Sequence, residues 1–149
     1  MELEAAASAH GHAPAYPFSI EPTREQAPFV VDLRPVVRAV AADVRRRRPA
    51  PEIAARYHAT LARAILEGCR TVRASRPHLR TVALSGGCFQ SRILTEGAAR
   101  LLAADGFEVM LHRRVPPNDG GLALGQAAVA AYRLRVPGSA GSERSPKES

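Results

Sequence analysis

Apolar positions along this chain fall into blocks whose spacing alternates between helical and extended. Met1 to Ala7 reads as a short helical pattern. From His10 to Pro28 the chain carries Gly, several Pro and two His, which predicts loop, with an edge segment around Tyr16 to Ile20. Phe29-Val30-Val31 predicts a short strand. Asp32 then stands where a helix N-cap belongs, with Pro35 in the first turn. Val36, Val37, Val40, Ala41 and Val44 form an apolar stripe at helical spacing. Pro49 and Pro51 interrupt the chain. A longer helix is expected from Glu52 to Ser75, with Ile53, Tyr57, Leu61 and Ile65 on one face and His58 half-buried at its edge. Pro77 closes it.

The stretch from Thr81 to Leu134 organises the rest. Thr81 to Ser85 predicts a buried strand running into the turn Gly86-Gly87. A helix follows, then a second strand at Phe107 to His112. Next come the loop Val115-Pro116-Pro117-Asn118-Asp119-Gly120-Gly121 and a helix of small residues ending near Leu134. Strand, turn, helix and strand of this length make a βαβ unit with parallel strands. Ligands in such sheets bind beyond the carboxyl ends of the strands. Backbone N–H groups at a helix start favour anions. The pattern therefore admits a nucleotide or phosphate site. After Leu134 the chain is rich in Gly, Ser, Pro and charge, so residues 136–149 are expected to be a disordered tail.

A length of 149 residues suits one domain. Ala, Leu and Val would fill its core, since there is no Trp and aromatic content is 5%. No apolar run is long enough to span a bilayer. MELEAAASAH carries acids and lacks the pattern of a signal peptide. Cys69 and Cys88 form neither a metal-type pair nor a disulfide framework, which fits a reducing, cytoplasmic compartment. The net charge of +7 comes almost entirely from arginine. Those cations are scattered except for Arg45 to Arg48, read as a solvated helix end, and no aromatics interleave with them. A nucleic-acid partner is not expected. His10 and His12 could be taken for a metal pair, but a Pro-rich loop near a terminus favours simple exposure.

LSGGCFQSRIL followed by VPPNDGGLALGQAAVAA resembles the end of the hydrogenase-maturation carbamoyltransferase family, HypF. MELEAAA and AARYHATLARAI resemble earlier segments of the same family, and the likeness covers most of Met1 to Leu134. It implies an α/β fold: the C-terminal half of an actin-like ATPase-type domain, over residues 1–135. It also implies a reaction. Carbamoyl phosphate and ATP give a carbamoyl-adenylate, and the carbamoyl group passes to the C-terminal cysteine of a HypE-type partner. The family's remaining regions and the first half of this domain have no motif here. A truncated or split protein is therefore expected, incomplete by itself and needing the preceding half as a partner.

Ser85, Gly86, Gly87, Gln90, Ser91, Gly120 and Gly121 are the nucleotide-binding candidates. Glycines at Gly86 and Gly87 let a ligand approach the backbone, though a tight turn alone could also require them. Gln90 and Ser91 are placed in the first helical turn, where they could bond a ribose or base. The family usually has Asn at Ser91 and at Ala59. A serine hydroxyl lacks an amide's paired donor and acceptor. By resemblance, Asp119 is one ligand of a divalent metal (zinc, iron or magnesium), whose other ligands are histidines of the preceding half. By its residues alone, Asn118 or Asp119 could equally cap the last helix. Cys88 is read as a small packing residue, His112 as a surface residue, and Gln126 as the polar group of the last helix that could reach a cleft. No catalytic residue is assigned. Two alternatives stand beside transfer: a non-catalytic remnant or binding module of the same fold, and a relative of the tRNA threonylcarbamoyl-transfer proteins.

Overall fold

The structure is a computed structural model that describes residues 2–8, 13–23 and 29–135. The expectations for His10 and His12, and for a disordered tail at 136–149, lie outside the described residues. Helix α1 (Glu2–Ser8) is followed by strands β1 (Ser19–Pro22) and β2 (Phe29–Asp32), helices α2 (Arg34–Arg45) and α3 (Ala50–Ser75), and strand β3 (Thr81–Leu84). A 3-10 turn at Gly87–Gln90 leads into α4 (Arg92–Ala104) and β4 (Glu108–Leu111). A second 3-10 turn, Asp119–Gly121, opens α5 (Leu122–Arg135).

β1 and β2 form an antiparallel pair with Ser19 opposite Asp32. β3 and β4 are parallel, with Thr81 opposite Glu108 and Leu84 opposite Leu111. The βαβ unit is thus present, with α4 as its crossover. Its core joins Ala62 and Leu66 of α3, Leu84 of β3, Leu94, Ala98 and Leu102 of α4, and Phe107. A second cluster joins Ala7 of α1 to Ala54 and Ala55 of α3, with Ile93 packed on it.

Several local expectations shift. β3 is covered on one face only: Leu84 is buried and Val82 half-buried, while Thr81 and Ala83 are exposed. On α3 the buried face is Ala54, Ala55, His58, Ala62 and Leu66, one position round from Ile53, Tyr57, Leu61 and Ile65, which are half-buried. Small residues lie deepest there because α1 and α4 both approach α3 closely. His58 is a packing histidine: buried, with Nδ1 2.9 Å from the Ala54 carbonyl.

The apolar stripe expected on α2 is largely outside. Val37 is 67% exposed and Val44 60%, while Asp43 is buried. Val36, Val40 and Asp43 share a face at i, i+4, i+7, and polar partners decide the outcome. Asp43 accepts from Tyr16 Oη at 2.9 Å and Arg56 Nη1 at 2.6 Å, and pairs with Arg48 Nε at 3.0 Å. Arg56 also lies over the Tyr16 ring. Thr60, fully buried, accepts from Tyr16 N at 2.8 Å and donates to the Arg56 carbonyl. A charge so placed is tolerated because both carboxylate oxygens face donors, two of them cationic. This network fastens the entry to β1 onto α2 and α3. Asp32 ends β2 rather than capping α2. The cap position is Leu33, and the Asp32 carboxylate takes the Arg34 N–H at 2.9 Å.

Asp105, which follows α4, accepts from Arg70 and Arg73 of α3. The Arg73 guanidinium also stacks on Phe107. These contacts lock α3 against the turn that leads into β4.

Candidate functional site

At the carboxyl ends of β3 and β4 two loops converge. Gly86 N donates to the Pro117 carbonyl at 2.8 Å, which joins the glycine turn to the proline–asparagine loop. The Ser85 hydroxyl lies 2.9 Å from His112 Nε2. Parallel pairing brings these loops side by side, because Leu84 and Leu111 are register partners and the next residues leave the sheet together.

Gly86 has φ of +101°, a conformation that L side chains rarely adopt. It swings the chain into the 3-10 turn, where Phe89 N returns to the Gly86 carbonyl at 3.0 Å. A Cβ added at Gly87 would meet no atom within 4 Å, so the space over that residue is open. As the first amides of the 3-10 turn, Gly87 and Cys88 have no acceptor within it. An anion could therefore be met by backbone N–H groups here.

The helix expected directly after the glycines begins later. Gln90 belongs to the 3-10 turn and is exposed. Ser91 is the N-cap of α4, and its Oγ accepts from Leu94 N at 3.4 Å. That role needs only a side-chain oxygen, which serine and asparagine both supply. Cys88 is exposed rather than packed as a core residue. Cys69 is half-buried, and burial pushes its thiol pKa up.

On the second loop, Asn118 is the cap. Its Oδ1 accepts from Gly120 N at 3.1 Å, and Gly121 N reaches the Asn118 carbonyl at 3.0 Å. The choice left open between Asn118 and Asp119 is thereby made. Gly121 serves packing: a Cβ there would stand 2.8 Å from Val115 Cγ1 and 3.0 Å from the Pro116 carbonyl. Asp119 is exposed and carries no capping duty.

α5 differs from expectation. Its small residues imply close packing, yet none of its residues is buried, Gln126 included. Leu122, Leu124, Val129, Tyr132 and Leu134 are all more than half exposed. The outer face of the neighbouring strand is bare as well, with Met110 57% exposed.

Three features of this region carried no sequence signal: the Gly86–Pro117 bond, the Ser85–His112 contact, and a contact from α1. Glu4 Oε1 accepts from Ile93 N at 3.2 Å, in the first turn of α4. Such contacts between distant segments have no periodicity to betray them.

The residues present can be tested against a divalent metal. Among the described residues no group of three or more His, Cys, Asp or Glu could hold one. Asp119 alone offers one carboxylate, short of a complete coordination sphere. Among the described residues no helix is long and apolar enough to cross a membrane.

Residues 1–126 match the family model described as carbamoyltransferase, Kae1-like domain, second subdomain. The chain is 43% identical over 103 residues to carbamoyltransferase HypF2 of Cupriavidus necator, covering 69% of this chain and 12% of that protein. It is 41% identical over 105 residues to carbamoyltransferase HypF of Rhodobacter capsulatus, covering 70% of this chain and 13% of that protein. A crystal structure of full-length HypF in the phosphate- and nucleotide-bound form matches with a TM-score of 0.80 at 32% identity. That match covers 95% of this chain and 18% of the other. The crystal structure of T. kodakarensis HypF matches with a TM-score of 0.65 at 23% identity, over 90% of this chain and 16% of that one, a likeness of fold.

Proposed function

This chain belongs to the HypF carbamoyltransferase family, and we propose that it supplies one wall of a cleft for ATP-dependent carbamoyl transfer. The α/β arrangement is the second part of an actin-like domain. The reaction proposed takes carbamoyl phosphate, water and ATP to a carbamoyl-adenylate, releasing phosphate and pyrophosphate, and then delivers the carbamoyl group to the thiol of the C-terminal cysteine of a HypE-type protein, releasing AMP and the thiol proton. One observation carries the assignment of the wall: the Ser85–Gly87 turn and the Pro117–Gly121 loop are bonded together beyond the carboxyl ends of parallel strands. A solved relative in a phosphate- and nucleotide-bound form supports the choice of ligand.

The chain's own residues would bind and orient. Gly86 sets the turn, Gly87 leaves room for a phosphate, and the amides of Gly87 and Cys88 face developing or standing negative charge. Gln90, exposed on the same turn, would contact the ribose or base. Ser91 and Asn118 would hold the two loops in shape through their caps. Gly120 and Gly121 would allow the second loop to fold tightly under the ligand. Asp119 would contribute one carboxylate to a metal whose other ligands lie outside this chain. The described residues do not form that site themselves, so no step is assigned to the metal.

The remaining partner proposed is the preceding half of the same domain. The chain spans 12% and 13% of the two curated relatives compared above. The apolar side chains of α5 and the bare face of β4 are where such a half would pack. The test is reconstitution with the preceding half and the remaining regions of a relative. ATP binding and carbamoyl transfer should appear in the mixture. Assembly with neither would favour a non-catalytic binding module.

A further inference from the structure

Glu4 and Ile93 lie 89 residues apart in sequence and meet at the start of α4. The Glu4 carboxylate takes the Ile93 N–H at 3.2 Å, and the Ser91 hydroxyl takes the Leu94 N–H at 3.4 Å. Both amides belong to the first turn of a helix, where donors lack intrahelical partners. The contact is not that of a free surface side chain. α1 is anchored by Ala7, buried against Ala54 and Ala55, with Ile93 packed on the same cluster. A carboxylate there also suits the positive end of α4. The Glu4 carboxyl is held below the ordinary carboxylate value, chiefly by the Ile93 amide. Burial opposes this, while the Arg92 amide, the Ser91 hydroxyl and the nearby His58 assist it. The start of α4 is in turn tied to the glycine turn. Thr95 Oγ1 donates to the Phe89 carbonyl at 2.9 Å, and Thr95 N donates to the Ser91 carbonyl at 3.0 Å.

We infer that Glu4 is a positioning residue for the turn Gly86–Ser91: by holding Ile93 it fixes where α4 begins and therefore where that turn must end. The inference rests on the proposed nucleotide role of the turn. It also divides the labour at this corner. The start of α4 is satisfied by the chain's own oxygens, so ligand phosphates are left to the amides of Gly87 and Cys88.

The test uses the 149-residue chain with Glu4→Gln and Glu4→Ala, read by amide NMR and hydrogen exchange. The Ile93 amide shift should titrate with a midpoint below the ordinary carboxylate range, and Glu4→Gln should abolish that titration while the core resonances stay in place. In Glu4→Ala, exchange at Phe89 and Ser91 should rise about fivefold, as for a lost helix cap. Unchanged exchange in both variants overturns the inference. The same variants are then combined with the preceding half of a HypF relative, and ATP affinity is measured. A loss of about the same factor in Glu4→Ala is expected. Faster exchange with unaltered ATP affinity overturns the positioning role and leaves only a cap. If the unmodified chain binds no ATP in this mixture, the proposed function fails, and exchange alone decides the case of Glu4.

Discussion

His112 Nε2 lies 2.9 Å from Ser85 Oγ, a bond that crosses from the end of one parallel strand to the end of its neighbour. With the Gly86–Pro117 bond beside it, it closes the gap between the two loops of the candidate site. The contact is exposed, so it adds little to global stability. His112→Ala should cost no more than about 0.5 kcal/mol. It should instead loosen the loops locally. Hydrogen exchange at the Gly86 amide is the measurement, and protection equal to that of the unmodified chain would mean that Pro117 alone holds the turn.

Gly87→Val separates ligand exclusion from folding. A Cβ at this position has open space around it and the residue is exposed, so the melting temperature should stay within about 1 °C, as for a surface change. Where the reconstituted cleft binds ATP, the branched side chain should block it. Unimpaired ATP binding would show that the nucleotide does not approach this turn.

The two residues before the second glycine pair should part company. Asn118 carries the cap, so Asn118→Ala should destabilise the start of α5 by about 1 kcal/mol, read as faster exchange at Gly120. Asp119→Ala should leave that exchange unchanged and, if the carboxylate serves a metal, lower both metal content and transfer in the reconstituted protein. A variant that keeps its metal and turnover would remove Asp119 from the site.

Tyr16 supplies a pH signature. Burial first, then its hydrogen bond to Asp43 and the charge of that carboxylate, push the phenol pKa up to about 12. The folded value lies above the ordinary value of 10.0, so the stabilisation is complete below pH 10 and is lost as pH rises toward 12. The ultraviolet titration difference between the unmodified chain and Tyr16→Phe should show a phenol ionising well above the ordinary value of 10.0. A midpoint near 10 would mean that the Asp43 network is open in solution.

Asp43→Ala should be among the more damaging single changes, at about 3 kcal/mol. It leaves the partly buried Arg56 and the Tyr16 hydroxyl without their acceptor. Thermal melting checks it, and Val37→Ala, on the exposed face of the same helix, is the control expected to stay near neutral.

What the sequence determined by itself is local. The βαβ unit was legible because helical and extended spacing alternate cleanly from Thr81 onward and glycine marks the turn. The end of α3 was legible from Pro77. The family was legible because a long run such as PPNDGGLALGQ is specific. Which face of a helix lies inside depended on partners brought from elsewhere. On α2, a stripe of valines lost to one aspartate, because Tyr16, Arg48 and Arg56 converge on Asp43. On α5, small residues that imply close packing stand exposed. The joining of the two loops through Gly86 and Pro117, and the hold of Glu4 on α4, likewise needed the folded chain. The reason is the range of the interactions. Propensity and amphipathic spacing act over a few residues and are written in order along the chain. A buried charge or a loop-to-loop hydrogen bond is decided by which distant donor arrives, and only the tertiary structure sets that.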